Sequence, residues 1–346
     1  MTRLKTTARQ SQSKNSTRFQ VSSRHPEVQL SCRGNAGFDY HNAHWQTLMG
    51  VFLWTDSWFE PSNIFPGLFG IVAVSQSTFP RTLNMNLDLS NRTAIVCGSN
   101  QGIGLAAAIE LAEMNANIVM VARNKERLES AAAQLANSGS QSHSILVADF
   151  AQPDQLKSVI TDWAGQGNVA EILINNTGGP PGVLAIEAGT DEFLSAFTNH
   201  LICNQILVQA LVPGMKEKSF GRIVNVISTS VKQPLNSLGV SNTIRGAVAN
   251  WAKTLANELG QFGITVNNVL PGATNTGRLE SILQSRAEKS GKPYEEVAGA
   301  MQSSIPANRF ADPEELGAAI AFLASPAASY INGINLPVDG GRTKCL

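Results

Sequence analysis

From residue 93 onward the chain alternates two kinds of segment, and this alternation restricts its possible folds more than any other feature. Short, nearly continuous runs of β-branched and aliphatic residues fall at Thr93–Gly98, Asn117–Val121, Ser144–Ala148, Glu171–Asn175, Arg222–Ile227, Thr265–Leu270 and Gly333–Val338. Between them lie longer stretches of helical character, Gly102–Asn115, Lys125–Ala136, Pro153–Gly165, Asp191–Lys218, Val240–Gln261 and Pro313–Ala324. Strands apolar on both faces need cover on both sides, and strict alternation with helices supplies it. The expected fold class is α/β, a doubly wound parallel sheet of about seven strands with helices on both faces. The segment Thr274–Phe310 interrupts the alternation. It falls where a lid or substrate loop belongs, beyond the carboxyl ends of the strands.

The first strand runs directly into Gly98-Ser-Asn-Gln-Gly102-Ile-Gly104 and then an alanine-rich helix. Glycines there let backbone approach a pyrophosphate closely, and the helix N-terminus offers free N–H groups and a positive dipole end. The expected sheet is therefore Rossmann-type, with a dinucleotide as ligand. The second strand ends Val121-Ala122-Arg123-Asn124. An acid near this point would hold the ribose 2′-hydroxyl of NAD(H), which Ala122 cannot do. Arg123 is placed to clamp a 2′-phosphate instead, so the expected cofactor is NADP(H) in preference to NAD(H).

Composition sets off the beginning of the chain. The formal net charge is zero, yet residues 1–84 hold eight Lys/Arg against four Asp/Glu, and the balance reverses afterwards. Residues 1–35 are rich in Ser, Thr, Gln and Arg, with Glu27 their one acid, a composition that cannot bury a core. Such a start is also similar to an organelle transit peptide. Met85 opens a stretch where a compact domain can begin. We expect residues 1–84 to be a disordered or mis-started extension, and 85–346 to be the NAD(P)-binding domain. Cys32, Cys97, Cys203 and Cys345 have no paired spacing, so no disulfide framework or metal site is implied. A reducing cytoplasmic setting is the simplest expectation. Nothing global points to nucleic acid or membrane partners.

Further landmarks follow in order. Asp149 stands after the third strand, and Asn175-Asn176-Thr177-Gly178-Gly179 closes the fourth. The fifth reads Gly221-Arg-Ile-Val-Asn-Val-Ile-Ser228, the sixth leads into Pro271-Gly-Ala-Thr-Asn-Thr276, and the seventh into Val338-Asp-Gly-Gly341. Over essentially all of residues 85–346 the chain resembles the short-chain dehydrogenase/reductase family, and within it the 3-oxoacyl-acyl-carrier-protein reductase-like proteins. The resemblance implies that Gly98, Ser99, Asn100, Gly102, Ile103 and Gly104 line the pyrophosphate and that Asp149 meets the adenine amine. It implies that Asn175 and Gly178 flank the cofactor, with Pro271 and Gly272 beside them, and that Thr276 bonds the nicotinamide carboxamide. Asn175 has a purely structural alternative, tying neighbouring strands together, and Pro271-Gly272 has one as a turn. A homotetramer with interfaces around His200 and Trp251 is also implied.

The family works with Asn, Ser, Tyr and Lys, and the resemblance implies that role for Ser228. Where its Tyr-x-x-x-Lys pair belongs, this chain reads Ser241-Asn-Thr-Ile-Arg245, and no tyrosine lies between Tyr40 and Tyr294. The family asparagine aligns with His200. Ser241 and Arg245 are four apart and so share a helix face. Val240, Ile244, Val248, Trp251 and Leu255 form an adjacent apolar face expected to be core. Arg245 can hold ribose hydroxyls and negative charge but does not readily release a proton, and Ser241 is a poor acid. His200, with an ordinary pKa near neutrality, is one expected proton source, and Tyr294 another. Three readings stay open. One is an NADP(H)-dependent oxidoreductase reducing a carbonyl, such as a 3-oxoacyl thioester, to an alcohol. The second is a dinucleotide-binding module with weak or no catalysis, and the third a dehydratase or epimerase. Leu279, Ile282, Leu283, Met301 and Ile305 suit either an acyl chain or a loop packing on its own core.

Overall fold

The computed structural model describes residues 85–345 of the protein. The expectations for residues 1–84 lie outside these. The strands are β1 (Thr93–Cys97), β2 (Asn117–Ala122), β3 (Ser144–Val147), β4 (Ile172–Asn175), β5 (Gly221–Val226), β6 (Ile264–Pro271) and β7 (Asn335–Val338). They form one sheet in the order β3-β2-β1-β4-β5-β6-β7, with every neighbouring pair parallel. Each expected strand is present, with ends displaced by one or two residues.

The helices are α1 (Gly102–Glu113), α2 (Lys125–Ala132), α3 (Pro153–Gly165), α4 (Thr190–Phe197), α5 (Cys203–Glu217), α6 (Gly239–Leu259), α7 (Gly277–Ser290), α8 (Tyr294–Ser303) and α9 (Pro313–Ala324). Successive strand residues point to opposite faces, so one strand feeds two cores. Ala94 and Val96 of β1 join Leu111, Leu128, Leu316 and Ile320 of α1, α2 and α9. Ile95 and Cys97 join Leu156, Leu207, Leu211 and Ala252 of α3, α5 and α6. Each fully buried Leu or Ile contributes about 1.5–3 kcal/mol. Helices α1 and α9 press closely, since a methyl on Gly317 would stand 2.9 Å from the Ala106 carbonyl carbon.

Two expectations are corrected here. The stretch Asp191–Lys218 is helical as expected but not α-helical throughout, because a π turn at Thr198–Ile202 lies between α4 and α5. The segment Thr274–Phe310 is not an open loop, because it holds α7 and α8. Thr276 Oγ1 caps α7 by accepting from Leu279 N–H, and Gly291 at φ 65° ends it in the left-handed conformation. Leu279, Leu283, Met301 and Ile305 pack with Ala273 and Phe310 into a core of their own. Of the two uses weighed, self-packing is observed for these four side chains, while Ile282 is half-buried outside the cluster. Tyr294 packs against that same cluster. Among the described residues no helix is long and apolar enough to cross a membrane.

Candidate active site

In the sheet order, β1 has β2 on one side and β4 on the other, and the winding reverses between β1 and β4. The loops leaving the carboxyl ends of these two strands therefore part and leave a crevice. The glycine turn occupies it. Gly98 and Gly102 have φ of 59° and 57°, the left-handed region that glycine enters without penalty. A methyl on Gly104 would lie 2.2 Å from Gly98 O, and one on Gly98 would lie 2.6 Å from Asn176 O, so neither position tolerates a side chain. Gln101, the residue before α1, makes no side-chain cap, and no acid stands in the first turn. The N–H groups of that end are left for an external acceptor, the donor set a phosphate group requires. The turn thus fits a dinucleotide.

Other expected cofactor residues surround this turn. Ser99 is fully buried and its hydroxyl accepts from Val121 N–H at 3.1 Å, which ties β1 to β2. Asn100 and Ile103 are half-buried on the turn. Arg123 is exposed at the end of β2, and the buried Ala122 precedes it. Asp149 follows β3 and accepts from Ala151 N–H at 3.0 Å. Gly178 is exposed and borders open space. Gly272 lies close against Asp339, with its N–H donating to Val338 O at 3.0 Å. Thr276 approaches Gly102 within 3.2 Å of a methyl built there. Asn175 donates from Nδ2 to Asn225 Oδ1 at 2.8 Å, the strand tie described above as its alternative, while its buried Oδ1 has no partner.

The carboxyl ends of β4 and β5 gather the remaining groups. Arg245, buried on α6, donates from Nη1 to Val226 O at 3.0 Å, the last carbonyl of β5 and two residues before Ser228. Its Nε is buried without a partner. A methyl on Gly179, in the loop after β4, would stand 3.8 Å from Arg245 Nη2. One guanidinium therefore bonds the end of β5 and lies beside the β4 loop. Burial first, and Arg278 second, lower its pKa to about 10, so it stays cationic at neutral pH. Ser241 is half-buried one turn away on the same helix. Ser228 Oγ accepts from Ser230 N–H at 3.1 Å, which aims the hydroxyl from a short 3₁₀ turn.

His200 lies in the π turn, buried, and a 2.6 Å hydrogen bond joins its Nδ1 to Thr177 Oγ1 in the β4 loop. Burial, then Arg245, push its pKa down to about 2. The expectation that His200 titrates near neutrality is thereby corrected. It is a neutral imidazole over the physiological range. Cys203 is equally inert, since burial and Asp149 push its thiol up to about 11. The sequence reading missed Thr177, which anchors His200, and Arg278, whose guanidinium donates to Pro180 O across the site. Arg278 lay two residues past Thr276, inside a segment read as loop.

These features define a class, the doubly wound α/β proteins that hold a dinucleotide at the switch point of a parallel sheet. A family model described as enoyl-(acyl carrier protein) reductase matches residues 98–343. The NADPH-dependent reductase BacG of Bacillus subtilis is 30% identical over 260 residues, 75% of this chain and 100% of that protein. The 3-oxoacyl-acyl-carrier-protein reductase FabG of Vibrio cholerae is 29% identical over 257 residues, 74% of this chain and 98% of that protein. L-sorbose reductase from Gluconobacter frateurii, in complex with NADPH and L-sorbose, has a similar structure. Its TM-score is 0.71 at 31% identity, covering 76% of this chain and 100% of that one. The chain belongs to the short-chain dehydrogenase/reductase family of oxidoreductases.

Proposed function

We propose that residues 85–346 form an NADP(H)-dependent reductase of carbonyl compounds in which Ser241 and Arg245 stand in for the usual tyrosine and lysine. The observation that carries this reading is the buried Arg245 guanidinium, held between the ends of β4 and β5 with Nε unpartnered. The named relatives support the reading, since NADPH appears in the names of BacG and of the sorbose reductase complex.

The turn Gly98–Gly104, with Asn100 and Ile103, would hold the cofactor diphosphate, and Arg123 would receive its 2′-phosphate. Asp149 would meet the adenine, Asn175, Gly178 and Pro271-Gly272 would flank the cofactor, and Thr276 would bond the nicotinamide carboxamide. The bound cofactor supplies a hydride. Ser228 donates a hydrogen bond to the substrate oxygen, and Arg245 stabilises the negative charge that develops there. Ser241 delivers the proton and recovers one from water. His200 is too strongly held in the neutral form to supply it as an imidazolium. It positions the β4 loop through Thr177. Without a well-matched general acid, turnover is expected to be about 10²–10⁴-fold below that of a site that has one.

The test is NADPH oxidation by the full chain across ketones and 3-oxoacyl thioesters. Oxidation that falls in Arg245→Gln is the expected result. The second reading, a cofactor-holding module, is favoured by the serine at position 241. Tight NADPH binding with no oxidation of any substrate would establish it. Arg123→Ala is expected to lower the NADPH-over-NADH preference about tenfold or more. An unchanged ratio would remove the role given to Arg123.

A further inference from the structure

A second arginine converges on the same point. A methyl on Gly179 would stand 3.6 Å from Arg278 Nη2 and 3.9 Å from Arg278 Nε, beside the 3.8 Å to Arg245 Nη2. The two guanidinium groups come from different helices, α6 and α7, and both approach Gly179 of the β4 loop. Two like charges that converge on one point repel, and an anion between them offsets that repulsion.

No such anion is supplied by the described residues. Their ion pairs are Lys125–Glu129, Lys292–Glu296 and Arg309–Glu315, none of which includes Arg245 or Arg278. Arg245 is 7% exposed and its Nε has no acceptor, an arrangement that costs stability unless a ligand completes it. Arg278 sits in the first turn of α7, where a cation opposes the helix dipole. Helix stability therefore does not account for its placement. A planar guanidinium presents paired donors that match the oxygens of a carboxylate or phosphate. The cofactor diphosphate has its own donors on the glycine turn, whereas Arg278 is directed to Pro180 O in the β4 loop.

We propose that Arg245 and Arg278 form an anion subsite, and that the substrate is a carbonyl compound carrying a carboxylate or phosphate on the side of α7. This deepens the reductase reading and rests on it. The anion bridges Arg245 Nε or Nη2 and the Arg278 fork above Gly179. Discrimination against neutral analogues follows from the buried donors they would leave unpaired.

The test titrates the NADPH-saturated full chain with matched pairs by calorimetry. The pairs are acetoacetate against acetylacetone, and dihydroxyacetone phosphate against dihydroxyacetone. The charged member of at least one pair is expected to bind about 10- to 100-fold tighter, and which pair shows it tells carboxylate from phosphate. Arg278→Gln should remove the difference and Arg278→Lys should restore part of it. Both variants should keep the melting temperature, since Arg278 is exposed, and should bind NADPH within twofold of the parent. Absence of charge-dependent binding in both pairs overturns the proposal. So does a loss of NADPH affinity in Arg278→Gln, which would make the pair a clamp for the cofactor diphosphate. NADPH oxidation in the same mixtures reads the reductase separately. Charge-dependent binding with no oxidation, in these mixtures or across the ketone and thioester panel, sinks the reductase and leaves the subsite. Oxidation without charge discrimination does the reverse.

Discussion

At His200 the fold removes the property that made the residue attractive in the sequence. An unfolded chain protonates this histidine near pH 6.5, whereas the folded one does so only near 2, because of burial and then Arg245. The stability that comes from keeping it neutral is complete above pH 6.5 and is lost as pH falls from there toward 2, at up to about 1.4 kcal/mol per pH unit. His200→Asn removes this titration. Between pH 7 and pH 5 the parent is therefore expected to lose about 2 kcal/mol more than the variant in urea unfolding. Equal losses would mean that His200 is charged in the folded protein. Gly104 is a second position where one atom decides. The methyl of Gly104→Ala meets Gly98 O at 2.2 Å, which is expected to cost about 1–3 kcal/mol and to abolish NADPH binding. Fluorescence titration with NADPH checks it, and normal affinity would move the diphosphate elsewhere.

Elements place these residues through contacts that are not local. Asn175, Asn225, Asn268 and Asn335 stand opposite one another on β4 to β7 and form a chain of side-chain hydrogen bonds of 2.8, 2.9 and 2.8 Å. This ladder stitches the strands whose ends carry Ser228 and the β4 loop. Asn225→Ala would leave Asn175 Nδ2 and Asn268 Oδ1 unpaired and is expected to cost about 2–6 kcal/mol. A loss under about 0.5 kcal/mol in urea unfolding would show that the ladder contributes nothing. The strands themselves were legible, since each is a short, largely apolar run and most are ended by Gly, Asn, Asp, Ser or Pro. The π turn was not. Its residues Thr198–Ile202 contain no Gly or Pro to mark a break, and the widened turn carries the buried His200 that bonds Thr177 in another segment. Helices α7 and α8 were partly legible in retrospect, through the cap Thr276 and the stop Gly291, but their charged surfaces obscured the apolar positions that form their core.

At the scale of the molecule, the described residues 85–345 hold two packed sheet faces and every candidate site residue named above. A chain of residues 85–346 is therefore expected to unfold cooperatively, with a melting temperature within about 2–4 °C of the full chain, and to bind NADPH equally well. Loss of cooperative unfolding would assign part of the fold to residues 1–84. What the sequence determined by itself was whatever depends on local pattern. Strand and helix order follow from the period of apolar residues, the glycine turn from its spacing, and the loss of tyrosine and lysine from direct reading. Only the tertiary structure decided the electrostatics. That His200 is neutral, that Ser99 and Asn175 spend hydrogen bonds on neighbouring strands, and that Arg278 meets Arg245 over Gly179 all depend on distance and burial between segments far apart in the chain. Charge and hydrogen bonding act through space, and no period in the sequence encodes them.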